Sequence, residues 1–75
     1  MQEWQYLVLT MDLAGGDRMR ARWKNHAEIP NWKQGPEFYD YLDQLGIEGW
    51  EMVTAGALLT RHTSFVFKRP RLHAQ

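Results

Sequence analysis

The stretch Tyr41-Leu42-Asp43-Gln44-Leu45-Gly46-Ile47-Glu48-Gly49-Trp50-Glu51-Met52-Val53 reads as the end of a helix, a glycine-bracketed corner and the start of a strand. Upstream, Gly35-Pro36-Glu37 marks the helix start. Proline presets the helical φ in a first turn, and an early carboxylate suits the helix dipole. Phe38, Tyr41, Leu42 and Leu45 fall at i, i+3, i+4 and i+7 and form one apolar stripe, with Glu37, Asp40, Asp43 and Gln44 as the polar remainder. Gly46 is the expected C′ residue, where a left-handed backbone costs little without a Cβ. A helix of about three turns is not stable alone in water, so its stripe must dock on a sheet.

Working outward, Glu3 to Leu13 reads as a first strand. It places Trp4, Tyr6, Val8 and Thr10 on one parity and Leu7, Leu9, Met11 and Leu13 on the other. Ala14-Gly15-Gly16-Asp17 is a turn signal. Arg18, Arg20, Arg22 and Lys24 then alternate with Met19, Ala21 and Trp23, which predicts a second strand with one basic and one apolar face. From Asn25 to Gly35 the pattern is lost, and a loop is expected with Ile29 and Trp32 as its anchors. After the corner, Trp50–Thr60 and Ser64–Arg69 read as two more strands joined near Arg61-His62-Thr63. Gly56 marks a bulge, a bend or the strand's end. Pro70 begins the exit from the sheet. The prediction is an α+β fold: a four-stranded antiparallel sheet with one helix on one face, in the order ββαββ. It occupies residues 1–75 as a single domain, with 14–35 as a hairpin and loop insertion and 70–75 as a tail.

Three segments together resemble a known family. They are Trp4-Gln5-Tyr6-Leu7-Val8, then Leu42 to Val53, then Phe65-Val66-Phe67-Lys68-Arg69-Pro70. The chain is similar to the small bacterial family called domain of unknown function 4177. That family opens on a W-x-Y-x-V-like strand, centres on an L-N-x-L-G-x-x-G-W-E-L-V-like motif and closes on an F-K-R-like strand. The likeness covers most of the chain outside residues 14 to 35. It implies a compact α+β domain and carries no catalytic residue to transfer.

Seventy-five residues allow a thin core, because a chain of this size buries only about 60% of its unfolded surface. With no cysteine, disulfides and thiolate metal sites are excluded, and oligomerisation is the remaining common supplement. The formal net charge is zero, so no global field attracts nucleic acid or an anionic membrane. No apolar run approaches the ~20 residues of a membrane span, and no signal-peptide pattern opens the chain. A cytoplasmic protein without membrane, metal or cofactor is expected.

No constellation in the sequence points to catalysis, and a non-enzymatic role is expected. His26, His62 and His73 lack metal-ligand spacing. Glu48 and Glu51 flank Trp50 without a reason to converge. Gly15-Gly16 lacks the context of a phosphate loop, and Ser64 has no evident activating partner.

Two surfaces are left. Trp4, Tyr6, Val8, Trp50, Met52, Phe65 and Phe67 carry apolar character onto both sides of the sheet, where a one-sided antiparallel sheet would alternate. Either the 25–35 loop covers the second face, with Ile29 and Trp32 as its lid, or another copy or another protein does. Buried positions are expected at Trp4, Tyr6, Trp23, Phe38, Leu42, Leu45, Trp50, Met52 and Phe67, shared between core and interface. The second surface is the stripe Arg18, Arg20, Arg22 and Lys24, with Lys68, Arg69 and Arg71 as an extension. Its cations would stand ~6–7 Å apart along one strand face and track phosphates of a nucleic acid. Alternatively they guard an edge against aggregation or pair with carboxylates. A small-ligand pocket under the loop, lined by Trp23, Trp32 and Tyr39, is the third reading.

Overall fold

A computed structural model describes residues 1–56 and 62–71. Its elements are β1 (Trp4–Leu13), β2 (Met19–Lys24), β3 (Ala27–Glu28), a 3-10 turn at Trp32–Gln34, α1 (Phe38–Ile47), β4 (Glu51–Gly56) and β5 (Ser64–Pro70). The α+β class holds. The sheet has five strands rather than four, ordered β3-β2-β1-β5-β4, and the chain order is βββαββ. The additional strand comes from a two-residue hairpin: Lys24 pairs with Ala27 around Asn25 (φ 51°) and His26 (φ 73°). Two successive positive φ angles make the turn type that matches strand twist, and asparagine tolerates that conformation better than most residues. The Asn25 side chain also accepts a hydrogen bond from the Val8 amide at 2.9 Å, which ties the hairpin tip to β1.

Registered cross-strand partners share a face of the sheet. Leu7 and Leu9 face Phe67 and Phe65 on β5, and Met11 faces Ala21 on β2. Phe38 and Leu45 of α1 close over this side, so the core is Leu7, Leu9, Ala21, Phe38, Leu45 and Phe67. Phe38 and Phe65 rings stand 4.9 Å apart. Tyr41, Leu42, Trp50 and Ile29 pack around this core. The expected helix stripe is therefore the docked one. Trp4, Tyr6 and Met52 depart from expectation: they are 37%, 61% and 44% exposed. Trp4 and Tyr6 lie on the face away from α1. Met52 pairs with Phe67 on the helix side but stands on the edge strand.

The corner also differs from expectation by one turn. Gly46 is inside the helix, the C-cap is Glu48, and the left-handed residue is Gly49 (φ 91°). The Gly49 amide donates to the Gly46 carbonyl at 3.0 Å, and the Trp50 amide donates to the Leu45 carbonyl at 2.9 Å. This pair of bonds is the Schellman arrangement, in which the residue after the glycine packs back on the last turn. Here that residue is Trp50, seated against the core that contains Leu45. The Arg69 guanidinium lies 4.2 Å from the Trp50 ring centroid and donates to the Glu48 carbonyl at 2.8 Å and to Gln5 Oε1 at 2.9 Å. It joins the corner to β1 and β5. At Ser64 the chain re-enters the sheet; residues 57–61, which include the predicted end of the third strand, lie outside the described residues, as do 72–75 of the predicted tail.

The two glycines of the corner should respond oppositely to alanine. Gly46→Ala replaces a helical glycine with open space around the new Cβ and should raise stability by about 0.5–1 kcal/mol. Gly49→Ala forces a Cβ into a left-handed residue and should cost about 1–2 kcal/mol. Thermal melts of the two variants check this; equal shifts would contradict the assigned corner.

Candidate functional site

The sheet face opposite α1 is the candidate site, and two backbone bulges shape it. In the first, Thr10 pairs with Trp23 while Met11 pairs with Ala21, which leaves Arg22 as the extra residue on β2. A bulge sets two residues against one and breaks the alternation of faces. Arg22 thereby joins Trp23 on the face away from α1. Its guanidinium donates to Asp12 Oδ2 at 2.8 Å and to Glu28 Oε2 at 2.8 Å. It lies 4.5 Å from the Trp23 ring centroid and 4.7 Å from that of Trp32. His62 approaches the same carboxylate, Nε2 to Asp12 Oδ2 at 3.3 Å, and its ring packs edge-on to Trp23 at 4.9 Å. Deeper in the face, the Thr10 and Ser64 hydroxyls share a hydrogen bond of 2.8 Å, and Ser64 is buried.

The 25–35 segment is divided between the two sides of the sheet. Ile29 packs into the core under α1, whereas Trp32 is buried against Arg22. The lid reading is thus met on the β2 side by Trp32, and Ile29 serves the opposite face. Cover ends there. Across β1, β5 and β4 the same face presents Trp4, Tyr6 and Val8, then Val66 and Lys68, then Glu51 and Thr54. The second bulge adds Val53, which stands with Thr54 opposite Val66 and is 51% exposed. The Lys68 ammonium sits 4.2 Å over the Trp4 ring. Phe65, Phe67 and Trp50, also expected to serve this surface, belong to the helix side.

The four cations of the predicted basic stripe are not brought onto one track. Arg18 precedes β2 and Arg20 pairs with Asp12. Arg22 is held between two carboxylates. The bulge returns Lys24 to the α1 side, opposite Leu9. The extension is divided in the same way, with Lys68 on Trp4 and Arg69 on Trp50. Trp23, Trp32 and Tyr39 do not converge either. Arg22 contacts both Trp rings, and Tyr39 is exposed on α1 beside Arg18 and Arg20 in a cleft of about 260 Å³. Larger clefts lie along α1 beside Lys24, of about 430 Å³, and at the corner after α1 beside Arg69, of about 520 Å³. In the first, burial raises the Tyr41 phenol above its ordinary pKa, with the Glu48 carboxylate adding to the effect.

Among the described residues no group of three or more histidines and carboxylates could hold a metal ion. His26 is exposed at the hairpin tip; His73 lies outside the described residues. Glu48 accepts from Gln44 at 3.1 Å, and Glu51 is exposed on the far face. Among the described residues no helix is long and apolar enough to cross a membrane. Comparison with family models, with curated proteins and with solved structures finds no match to this chain.

The polar cluster has a defined pH dependence. Partial burial works to raise the Asp12 carboxyl, but the Arg22 hydrogen bond, the Leu13 amide and the charges of His62 and Arg22 outweigh it and hold the pKa below the ordinary carboxylate value. A depressed folded pKa contributes stability above the unfolded value, lost as pH falls through the folded one. Asp12→Asn should therefore lower the urea midpoint at pH 7 and have little effect near pH 2. A constant difference between variant and wild type at both pH values would show that Asp12 contributes by packing alone. Arg22→Ala should free Trp32, read as a red shift of tryptophan emission at neutral pH.

Proposed function

We propose that this protein is a small non-enzymatic assembly module that self-associates through the open half of the sheet face opposite α1. The observation that carries the reading is the exposure of Tyr6, Val53 and Trp4 around Val8 and Val66 on three adjacent strands. An antiparallel sheet with a solvated face alternates apolar and polar residues; β1 does not alternate here. From these exposures and side-chain areas of ~150–250 Å² for aromatics, the patch offers roughly 300 Å² of apolar surface, the lower end of the size of the largest patch on a typical monomer, which is often functional. The short chain adds a motive, since it gains stability by covering that surface. Nucleic-acid binding through residues 18–24 loses its support once those cations are divided between faces. The resemblance to the domain of unknown function 4177 family rests on the quoted residues and belongs to this proposal; it supports the architecture and is silent on chemistry.

Sedimentation velocity across ~1–100 μM should show a concentration-dependent dimer. A patch of this size falls short of the ~800 Å² per partner of a standard interface without its polar rim, so a micromolar dissociation constant is expected. Tyr6→Asp, a change at an exposed position, should weaken the dimer by at least about tenfold. A wild-type protein that stays monomeric at 100 μM would refute the proposal.

A further inference from the structure

We infer that residues 30–36 form a strap, latched by Trp32, that swings off β2 while the sheet stays folded and so gates the β2 part of the face opposite α1. The strap hangs between two fixed ends. Ile29 packs against the core before it, and Phe38 is buried in the core after it. Between these ends Trp32 is the one buried residue. Pro30, Asn31, Lys33, Gln34 and Pro36 are exposed, and Gly35 is half-buried.

Hydrogen bonding separates the strap from the sheet. The Ile29 amide still donates to the Arg22 carbonyl, at 2.7 Å. Beyond it the Gln34 amide donates to the Asn31 carbonyl at 2.9 Å and the Gly35 amide to the Trp32 carbonyl at 3.1 Å, both within the strap. Among the described residues no hydrogen bond or ion pair ties residues 30–36 to a strand or to α1. The hold is the Trp32 ring on the Arg22 guanidinium, at 4.7 Å. Arg22 is fixed from the sheet itself, by Asp12 on β1, by Glu28 on β3 and by the Trp23 ring. The strap therefore leaves without breaking an ion pair. Asn31 adds a bias toward release: its backbone is left-handed (φ 56°, ψ 36°) and its side chain makes no cap hydrogen bond. A non-glycine residue holds strain in that conformation, and an open strap is free of it. Burial of a single ring thus offsets the ordering of the whole segment. A unit held by so few contacts opens at lower free energy than the sheet unfolds. Opening uncovers Arg22 and, behind it, Trp23, and the open face then extends to β2.

Fluorine NMR of the full chain labelled with 5-fluorotryptophan tests the strap, with the Trp32 signal assigned through Trp32→Phe. At neutral pH and sub-denaturing urea, the Trp32 signal should gain the solvent isotope shift of an exposed indole. The slowest-exchanging amides of β1 and β5 should keep their protection under the same conditions. Strap opening should be at least about tenfold more frequent than sheet opening. If Trp32 exposure and loss of amide protection coincide in one transition, the inference is overturned. Trp32→Ala gives the second arm, because a strap is dispensable to the sheet it covers. Its β1 and β5 amides should stay protected from exchange. A Trp32→Ala chain whose sheet unfolds would place Trp32 in the one cooperative core and overturn the inference as well. Neither arm depends on whether the protein self-associates, which sedimentation reads separately.

Discussion

One helix of ten residues spans about 15 Å and is about 10 Å wide. Five strands at ~4.8 Å spacing are wider than that, and they have two faces. The coverage of apolar surface is therefore the constraint to which the rest of the molecule answers. Leu7, Leu9 and Phe67 are buried because α1 lies over them. Met52, on the same side but at the edge, is not. On the other side, among the described residues, only the Trp32 segment gives cover, and it reaches no further than Arg22 and its neighbours. What remains open among the described residues exposes Trp4, Tyr6 and Val53 around Val8 and Val66.

The Arg22 bulge determines where that partial cover stops. Without the extra residue, Trp23 would take the face opposite Arg20 and Arg22, and no cation would stand between Trp23 and Trp32. With it, one guanidinium satisfies two carboxylates and packs on two rings. A planar, always-charged group suits both tasks at once, where a lysine ammonium would suit neither as well. The same event dissolves the basic stripe. One cation of the feature that looked most like a nucleic-acid track is engaged in holding a loop.

How much of this was legible follows from what sequence patterns encode. The helix stripe from Phe38 to Leu45 was readable because side-chain spacing reports helical period directly. The turn at Gly15-Gly16 and the re-entry at Ser64 were readable from residue type. The corner was placed one turn early because Gly46 and Gly49 are equivalent by composition, and only backbone hydrogen bonds distinguish a helical glycine from a left-handed one. The third strand had a signal in Asn25, whose side chain tolerates positive φ. The two bulges had none: Arg22 and Val53 are ordinary strand residues, and a parity shift is invisible when period 2 is assumed. That assumption placed Lys24 and Arg22 on one face, and it gave no reason to set Val53 beside Val66. The excess of apolar residues over what one helix can cover was legible, and so was the choice between loop and partner as its cover. That the Trp32 segment reaches only the β2 part of that face was not.

Association through the open face competes with association through an edge, and the second bulge weighs against the edge. β4 ends the sheet, and among the described residues nothing pairs with its outer side. An exposed edge is ordinarily a template for another strand. Here the parity of side chains changes within the strand: Met52 and Ala55 belong to the helix side, with Val53 and Thr54 together between them. A copy pairing edge to edge in a regular register would match faces on one side of the bulge and mismatch them on the other. Continuous pairing would then be limited to about three residues, too short to hold a sheet extension. The same displacement moves Val53 onto the open face, beside Val66. A single inserted residue thus blunts the edge and enlarges the patch, in keeping with the proposed self-association through the face.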